Sequence, residues 1–458
     1  MTERIVRSPW DGREAGRVAV PAAADVEAAV AKAAKIFGET KKLPTYRRAA
    51  ILRATVEGIL GKREALARTI ALEAGKPLKA ARVEVDRAAG TFSAAAAAIE
   101  TATGAHFPLD MNPASPGKWG ILRRVPLGPV AAITPFNFPL NLTAHKVAPA
   151  IGVGAPVVQK PASQTPLSAL ALREIVLAAG WPEEGYAVLP VSGAAGELLV
   201  TDPRLPVVSF TGSATVGWRL REIAPRKRVG LELGGNAGLI VHEDADLADA
   251  AQRAASGGFV YAGQSCISVQ RILVHRPVYG AFSERLLAAT AKMKAGDPLD
   301  ESVDVGPMIS EADAVRAETW VKEAVAGGAE LLVGGKRSGA LLPPTVLART
   351  VPSMKVECDE VFAPVVTLTP YDTFDEALAR VNDSRYGLQA GVFTRDLGRI
   401  EQAFETLEVG GIIVNDAPTW RADRMPYGGV KESGVGREGP VYAMEEYTEP
   451  RLLVLRAP

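Results

Sequence analysis

The strongest constraint on the fold of this chain is an alternation, from about residue 128 onward, of short β-rich runs with helical stretches. Strands separated in this way by helices pair in parallel, and helices cover the faces of the resulting sheet. The alternation resumes after a glycine pair at 234–235, so we expect two parallel-sheet domains of the α/β class. The predicted strands are VAAIT (130–134), PVVQK (156–160), YAVL (186–189) and PVVSF (206–210), then LIV (239–241), RILV (271–274), VVTLT (365–369), AGVFT (390–394) and GIIVN (411–415).

Helices and one isolated strand are predicted outside these strands. Apolar positions recur at helical spacing over 25–37, 46–72 and 79–102, and Asp25 is placed to cap the first of these helices. At the other end of the chain, RLLVLRA (451–457) is typical of a strand but leaves no room for a hairpin partner. It must therefore pair with an earlier strand or with another subunit, because an unpaired edge invites aggregation.

The composition argues against several classes of function. The 458 residues include 52 Lys plus Arg and 52 Asp plus Glu, so no positive excess is present to bind nucleic acid or an anionic membrane. Two cysteines cannot build a disulfide framework, and four histidines show no metal-ligand spacing. The N-terminus lacks the apolar core of a signal peptide, and the most apolar region, 128–158, contains polar residues and several prolines. We therefore expect a cytoplasmic protein with no metal, nucleic-acid or membrane partner.

Two side chains combine reactivity with an unusual local sequence. Cys266, in GQSC, follows a helical pattern over 246–261, and its thiol is a nucleophile if nearby donors or dipoles favour the thiolate. An inert buried thiol is the common alternative, but the polar, flexible residues before it argue against a core position. Glu232 ends the apolar run VGLEL before two glycines. Burial there raises the pKa of a carboxyl and suits it to take a proton from water; the alternative is an exposed carboxylate on an edge strand.

Three further segments follow predicted strands and are candidates for binding. Asn137, in TPFNFP before a helix that Pro139 would open, can donate its amide to an oxyanion, although an Asn in this setting is also a common turn residue. FTGSATVG (210–217) offers a helix N-terminus to a pyrophosphate, but a tight turn without a ligand would use the same glycines. Lys160 ends a strand at the carboxyl edge of the sheet, where nucleotides bind; the alternative is a solvated lysine at a strand end.

Seven short motifs follow one another in a fixed order over nearly the whole chain: TPFNFP, KPASQTP, FTGSATVG, ELGGNA, GQSC, DEVFAP and PYGGVKESGVGREG. This set resembles the aldehyde dehydrogenase superfamily. ELGGNAGLIVHEDADL, GQSCISVQRILV and NDSRYGLQAGVFTRDL are most similar to a branch that contains lactaldehyde and succinate-semialdehyde dehydrogenases. The resemblance implies two Rossmann-like domains, one for the cofactor and one for catalysis, and a small β element for oligomerisation. It also implies oxidation of a small aldehyde to a carboxylic acid with NAD or NADP.

The resemblance gives a chemical role to four residues. Cys266 resembles the nucleophile that attacks the aldehyde carbon, and Asn137 together with the Cys266 backbone N–H would hold the oxyanion. After hydride transfer, Glu232 would activate the water that hydrolyses the thioester, and Lys146, in AHKVAP, matches a lysine of a proton relay. A glutamate at 232 favours hydrolysis over transfer to coenzyme A. A cysteine-dependent esterase or thioesterase without hydride transfer, and a non-catalytic protein on the same fold, stay open as alternatives.

The cofactor site implied by the resemblance draws residues from both domains. Lys160 matches the residue that binds the adenosine ribose or its phosphate, Ser213 the pyrophosphate contact, and Glu360 with Phe362 the nicotinamide-ribose contacts. Ser163 stands where many NAD-preferring members have a glutamate that chelates the ribose hydroxyls, so a 2′-phosphate is not repelled and NADP use is expected beside NAD. The expected cofactor-binding residues are Thr134, Pro135, Phe136, Lys160, Ser163, Gly212, Ser213, Gly217, Glu360 and Phe362.

The substrate funnel and the assembly are the last features that the resemblance implies. Arg421 and Arg424 fall where the family lines its funnel and would meet the charge of a small anionic aldehyde; the alternative is that both are rim or interface arginines. The segment at about 108–127 is expected to pair with the C-terminal strand of a neighbouring subunit in a homodimer or homotetramer. The expected domains are 1–107 with 128–234 for NAD(P) binding, 235–432 for catalysis, and 108–127 with 433–458 for oligomerisation.

Overall fold

Helices occur where the apolar periodicity predicts them, with shifted ends. The helix predicted over 25–37 begins earlier, and Asp25 is not its N-cap but lies inside it at position N3, where its carboxylate accepts a backbone N–H from the residue before the helix at 2.8 Å. The helix predicted over 46–72 is two helices, broken at Lys62. The helices are α1 (Ala23–Thr40), α2 (Thr45–Gly61), α3 (Arg63–Ala74), α4 (Leu78–Glu100), α5 (Asn141–Val153), α6 (Leu167–Ala178), α7 (Gly193–Thr201), α8 (Ala214–Ile223), α9 (Leu247–Phe259), α10 (Tyr279–Ala291), α11 (Glu311–Ala326), α12 (Lys355–Cys358), α13 (Phe374–Asn382), α14 (Leu397–Thr406) and α15 (Pro440–Glu446).

The computed structural model describes residues 2–456, and a strand overlaps every run predicted from the sequence, although Ala457 of the last run lies outside the described residues. Within that range, no helix combines the length and the apolarity needed to cross a membrane. The strands are β1 (Thr2–Arg7), β2 (Glu14–Val20), β3 (Ala105–Pro108), β4 (Lys118–Pro126), β5 (Val130–Ile133), β6 (Val157–Lys160), β7 (Tyr186–Val188), β8 (Val207–Thr211), β9 (Arg228–Glu232), β10 (Ala237–Val241), β11 (Val269–His275), β12 (Glu330–Val333), β13 (Thr345–Ala348), β14 (Val365–Tyr371), β15 (Tyr386–Gly387), β16 (Gln389–Phe393), β17 (Gly411–Val414), β18 (Val430–Lys431), β19 (Gly434–Val435) and β20 (Thr448–Arg456).

The first large sheet has the strand order β19-β9-β8-β5-β6-β7, in which β5 to β9 are parallel and β19 is antiparallel at one edge. Its central strands β5 and β8 are buried along their whole length, as expected for strands that helices cover on both faces. Parallel strands end at the same edge of a sheet. The carboxyl ends of β9, β8, β5 and β6 therefore bring Glu232, Ser213, Asn137 and Lys160 to one edge.

The second large sheet has the order β12-β13-β14-β11-β10-β16-β17, and all neighbours are parallel except β12 and β13. Gly235 lies shortly before β10, and Cys266 lies shortly before β11. Both residues are therefore at the amino edge of this sheet, where the chain arrives from the carboxyl edge of the first sheet. The two parallel-dominated sheets confirm the predicted α/β class.

Apolar side chains at helical spacing bury one face of the long helix α4. Ala81, Val85, Ala88, Phe92 and Ala95 recur three or four residues apart and are all fully buried. They belong to the core that α2, α3 and α5 share with the first sheet. Burial of apolar surface contributes roughly 25 cal/mol per Å², so this stripe fixes α4 against α2, α3 and α5, the last of which follows Asn137 in the chain.

A small antiparallel sheet, ordered β20-β4-β3, differs from expectation in its pairing. Residues 448–456 pair one by one with 118–126 of the same chain, so this pairing is not between subunits as expected. The Leu127 backbone N–H donates to the Tyr447 carbonyl at 3.1 Å, which brings β20 beside β4. The boundaries also differ, because β3 begins at Ala105 and β19 belongs to the first large sheet.

Candidate active site

The loop that carries Cys266 is held in a costly conformation. After α9, the backbone of 261–263 takes positive φ values of 55°, 52° and 64°, although only the last of these residues is a glycine. Buried Gln264 then fixes the turn, because its Oε1 accepts the Ile309 backbone N–H at 2.8 Å. Cys266 follows with its side chain partly accessible. A strained loop around a cysteine that is only partly buried fits a nucleophile better than an inert core residue.

The Cys266 thiol lies in an apolar setting with one hydroxyl close to it. Its Sγ is 2.9 Å from the Tyr427 hydroxyl oxygen. Burial raises the pKa of the Cys266 thiol to about 12, while the hydrogen bond with Tyr427 and the positive charge of Arg421 both lower it. The thiol is therefore protonated at rest, and its attack on a carbonyl depends on groups that favour the thiolate.

Asn137 directs its amide toward the Cys266 loop. Asn137 is buried, and its Nδ2 donates to the backbone carbonyl of Gln264 at 3.0 Å. The same amide group carries a second N–H, which is available to an oxygen near the thiol. The helix after Asn137 begins at Asn141 and not at Pro139 as expected, so Asn137 lies in an extended turn that reaches the second sheet. The amide of Asn137 is thus held against the loop that carries Cys266.

Glu232 is buried, which contradicts the alternative of an exposed edge carboxylate. Its side chain ends β9 with only 5% of the residue exposed, and its Oε2 has no hydrogen-bond partner among the described residues. Burial and the negative charge of Glu438 raise the pKa of Glu232 well above its usual value. Such a carboxyl is suited to exchange a proton with water near neutral pH.

Lys146 and Glu438 form a buried ion pair beside Glu232. The Lys146 Nζ donates to Glu438 Oε1 at 3.0 Å and to the hydroxyls of Ser209 and Thr211 at 3.1 and 2.8 Å. Lys146, His145 and Arg421 lower the pKa of Glu438 to about 2 despite its burial, so Glu438 stays ionised. Its fixed negative charge adds to burial in disfavouring ionisation of Glu232.

A cleft of about 360 Å³ joins the two domains on the expected cofactor side. Ser213 and Glu360 both line it, and Ser213 precedes the N-terminus of α8 without a capping bond from its own side chain. Burial raises the pKa of Glu360 to about 7, and Glu360 Oε1 accepts the Gly235 backbone N–H at 2.9 Å. The other lining residues are Ala214, Thr215, Trp218, Trp320, Asp359, Arg385, Tyr386 and Glu432.

Two aromatic rings join the segment before Asn137 to the segment after Glu360. Phe136 packs edge-on against Phe362 at 5.9 Å between ring centres. Phe362 has a positive φ of 48°, which a bulky residue adopts only where the surroundings impose it. Thr134 is buried, Pro135 is partly buried, and the Thr134 backbone N–H donates to the Lys160 carbonyl at 3.2 Å. These predicted cofactor residues therefore lie together at the carboxyl edge of the first sheet.

The predicted glycines allow α8 to pack closely on its sheet. A Cβ on Gly217 would collide with the Leu233 side chain, and a Cβ on Gly212 would collide with the Phe210 ring. Gly212 also donates its N–H to the Glu232 carbonyl at 3.1 Å. The N-terminus of α8 is thereby drawn against the strand end, which is the arrangement that lets helix amides face a phosphate.

Lys160 has a positively charged neighbour that the sequence did not indicate. Burial lowers the pKa of Lys160, and the charge of Arg4 lowers it further. The Arg4 Nε and Nη2 atoms are buried and have no hydrogen-bond partner among the described residues. Arg4 is partly buried, and buried guanidinium nitrogens without an acceptor are costly. The hairpin that carries Arg4 packs close to this loop, because Gly16 approaches the Leu167 side chain.

The two arginines expected at the substrate funnel differ in position. The Arg421 side chain is only 5% exposed, and its Nη2 donates to Glu438 Oε2 at 3.2 Å. Its guanidinium lies 3.6 Å above the Tyr427 ring, and its Nε has no partner within the described part of the chain. Arg421 is therefore not a rim residue. Arg424 is exposed.

Three residues of the site were not singled out from the sequence. Tyr427 and Glu438 lie within the motif PYGGVKESGVGREG, but nothing in the spacing shows that they reach Cys266 and Lys146. Arg4 lies in an N-terminal strand far from any motif, and no sequence signal connects it with Lys160. Such contacts between segments distant in sequence depend on the fold.

The histidines give one cluster that sequence spacing did not predict. His242, Glu243 and His275 lie with ligand atoms within 4.8 Å of one another, in the only such group found over residues 2–456. The two imidazoles are stacked at 4.4 Å with an interplanar angle of 12°. Ring nitrogens bind metals in the plane of the ring, so two stacked rings do not converge on one ion. The two imidazoles of this cluster therefore form an aromatic stack.

Comparisons with known proteins agree with this geometry. The sequence profile described as "Aldehyde dehydrogenase family" matches residues 2–453. The chain is 45% identical over 451 residues to a 3-sulfolactaldehyde dehydrogenase of Priestia aryabhattai. The aligned residues cover 98% of this chain and 94% of that protein. An aldehyde dehydrogenase from Physcomitrella patens, solved in complex with the reaction product succinate, superimposes with a TM-score of 0.97 at 43% identity over 99% of this chain and 95% of that one.

A second solved structure is similar over the full length of both chains. It is a glyceraldehyde-3-phosphate dehydrogenase from Methanocaldococcus jannaschii complexed with NADP, with a TM-score of 0.95, 38% identity and coverage of 99% of each chain. The family match, the relatives and the common fold favour hydride-transfer chemistry over the esterase alternative. The chain belongs to the aldehyde dehydrogenase family and is an NAD(P)-dependent aldehyde dehydrogenase.

Proposed function

We propose that this enzyme oxidises a small anionic aldehyde to the free carboxylic acid through an acyl intermediate on Cys266, and that it accepts NADP as well as NAD. The observation that carries the proposal is the convergence of three groups at the junction of the two sheets. Asn137 bonds to the Cys266 loop at 3.0 Å, and Glu232 is a buried carboxyl with a raised pKa that influences the pKa of Cys266. A nucleophile, an oxyanion donor and a base are thus available together.

The chain's own residues divide the oxidation into two steps. The Cys266 thiol loses its proton to water, its sulfur attacks the carbonyl carbon, and the electron pair of the C=O bond moves to the oxygen, which accepts hydrogen bonds from Asn137 Nδ2 and the Cys266 backbone N–H. When bound, NAD(P)⁺ supplies the acceptor for the hydride of the aldehyde carbon. Glu232 then takes a proton from the water that attacks the thioester, and the carbon–sulfur bond breaks to release the acid. Lys146 and Glu438 hold the charge around Glu232 and provide its proton relay.

The residues that would hold the cofactor fit a phosphorylated dinucleotide. Ser213 at the N-terminus of α8 faces the cleft that Glu360 lines, which suits a pyrophosphate and a ribose. Lys160 and Arg4 bring two positive charges together three residues before Ser163, and two buried Arg4 nitrogens have no partner among the described residues. Because a 2′-phosphate would supply the missing acceptor, we assign Lys160 and Arg4 to the binding of NADP.

An anionic substrate is supported by the buried Arg421 and by the relatives. Arg421 lies close enough to Cys266 to lower the pKa of its thiol, and its Nε is free of partners in the described structure. One relative acts on 3-sulfolactaldehyde and another was solved with succinate; the first compound has an anionic sulfonate at the end away from its aldehyde, and the second has a carboxylate at each end. We therefore assign to Arg421 the charged end of the substrate. We propose that Arg424, which is exposed, is an outer contact of the same funnel.

Self-association is proposed from the small antiparallel sheet. Leu452, Leu453, Val454 and Leu455 of β20 are 37% to 55% exposed. A run of exposed apolar residues in one strand is typical of a subunit interface. We propose a homodimer or homotetramer built on this sheet, in a reducing cytoplasm that keeps Cys266 as a thiol. Sedimentation velocity tests the assembly: a monomer at micromolar concentration would contradict it.

A panel of matched aldehydes tests the proposed function. Anionic aldehydes such as succinate semialdehyde and 3-sulfolactaldehyde are offered with NAD or NADP, beside neutral aldehydes of the same length. We expect reduced cofactor and free acid in equal amounts, with the anionic aldehydes preferred. Ester hydrolysis without reduction of cofactor by any aldehyde would instead favour the esterase alternative.

A further inference from the structure

We propose that Tyr427 is a catalytic residue: its hydroxyl donates a hydrogen bond to the Cys266 sulfur and stabilises the thiolate that attacks the aldehyde. The inference rests on the proposed function, because it takes Cys266 as the nucleophile. It adds a residue that touches the reacting atom itself. The Tyr427 oxygen and the Cys266 Sγ are 2.9 Å apart, within hydrogen-bond distance.

The direction of this hydrogen bond depends on the state of the sulfur. While Cys266 is a thiol, either atom can donate. Once the proton has left the sulfur for water, only the Tyr427 hydroxyl can donate. The bond is then charge-assisted and stronger, so it favours the thiolate over the thiol. The electron pair left on the sulfur is the pair that forms the bond to the carbonyl carbon.

Tyr427 acts as a donor and not as a base. Burial raises the pKa of its phenol well above the usual value, and the neighbouring Cys266 and Glu232 raise it further. Tyr427 therefore keeps its proton at every pH at which the enzyme works. Tyr427 is 3% exposed and packs with Ile267 and Leu388, so bulk water does not compete for its hydroxyl.

Arg421 and the backbone hold the hydroxyl in place. The Arg421 guanidinium lies 3.6 Å from the centre of the Tyr427 ring, a cation–π contact that also places a positive charge near the sulfur. On the backbone, Tyr427 and Glu438 exchange two hydrogen bonds, of 3.0 and 2.6 Å. Neither contact requires the hydroxyl. Replacing Tyr427 by Phe removes the donor and leaves the ring contacts available.

The experiment measures the reactivity of the Cys266 sulfur without any substrate. Cys358 is exposed and is the only other cysteine, so Cys358→Ser leaves Cys266 as the single thiol. In this background, the rate of alkylation by iodoacetamide is followed across neutral and alkaline pH for Tyr427→Phe and its parent. We expect alkylation about tenfold slower at neutral pH and a pH profile shifted to higher pH. The loss of a hydrogen bond to a charged group changes the equilibrium between thiol and thiolate by about that factor.

Two further variants make the result unambiguous. Tyr371→Phe removes another buried hydroxyl, which lies 2.8 Å from His242 Nδ1 and away from Cys266, and we expect it to leave the profile unchanged. Replacement of Tyr427 by 3-fluorotyrosine keeps the shape and gives a stronger donor, so its profile is expected to move to lower pH. An identical profile for parent and Tyr427→Phe overturns the proposal; if that variant does not fold, an unshifted fluorotyrosine profile overturns it. Because no aldehyde or cofactor is present, this outcome is separate from failure of the proposed function.

Discussion

The carbonyl oxygen of Cys266 occupies the space that a Cβ atom on Gly235 would need. The Gly235 N–H also donates to the Glu360 carboxylate at 2.9 Å. Gly235, between the two sheets, therefore contacts both the Cys266 loop and the Glu360 side chain, which lines the cleft between the domains. This contact explains why a glycine follows so closely after Glu232.

The first prediction concerns that contact. Gly235→Ala forces the Cys266 loop away, and we expect kcat to fall by about 100-fold, because a displacement of about 1 Å at a reacting group has that effect. Overpacking of this kind costs roughly 1–3 kcal/mol of stability, which thermal unfolding measures. Gly230→Ala, on β9 where no atom lies within 4 Å of the added methyl, is the matched control. Equal kcat for both variants would contradict the assigned contact.

The second prediction concerns Glu232. The raised pKa means that this carboxyl binds a proton until the pH rises above its usual range, and only the ionised form accepts a proton from water. We expect hydrolysis of the thioester to be lost as the pH falls through this raised pKa. Glu232→Gln should give a burst of reduced cofactor equal to the number of active sites and then stall. Steady turnover with an unchanged pH profile would show that another group is the base.

The third prediction concerns the choice of cofactor. Ser163→Glu places a negative charge beside Lys160, and we expect NADP to bind at least about tenfold more weakly while NAD binding is kept or improved. Gln164→Glu adds the same charge at the exposed neighbouring position and serves as the control. Arg4→Gln should weaken NADP binding alone. Titration of cofactor fluorescence measures the binding of NADP and NAD to all three variants. An unchanged ratio of NADP affinity to NAD affinity in Ser163→Glu would contradict a role of Ser163 in the choice of cofactor.

The fourth prediction concerns the charge of the substrate. Arg421→Gln removes the buried cation near Cys266, and we expect kcat/KM for an anionic aldehyde to fall about tenfold or more relative to a neutral aldehyde of the same length. Arg424→Gln removes a charge from the exposed neighbour and is expected to have a much smaller effect. If Arg421→Gln lowers kcat/KM equally for the anionic and the neutral aldehyde, Arg421 has a structural or electrostatic role and does not bind the substrate.

Much of the fold could be predicted because its signals are local. Every predicted strand is present, since a run of apolar β-branched residues between helices has one stable environment in a parallel sheet. For Glu232 the sequence left both a buried and an exposed carboxylate open, and the structure shows it buried. Helix ends were less accurate: nothing in the periodicity over 46–72 indicates the break at Lys62.

The rest could not be predicted because it depends on contacts between distant segments. The pairing of β20 with β4 is fixed by where α15 ends, and the sequence alone allowed a partner in another subunit. Tyr427 reaches Cys266 from the far end of the chain, and Arg4 reaches the vicinity of Lys160 from the N-terminus. These residues have neither a local pattern nor a spacing that relates them to the site.

The most direct test of the account is to identify the covalent intermediate. Glu232→Gln is mixed with an aldehyde and the oxidised cofactor, quenched in acid, digested and analysed by mass spectrometry. The account predicts one acyl group per active site, attached to the peptide that contains Cys266 and absent from the peptide that contains Cys358. Reduced cofactor and free acid formed with no acyl group on Cys266 at any time, or an acyl group on another residue, would contradict it.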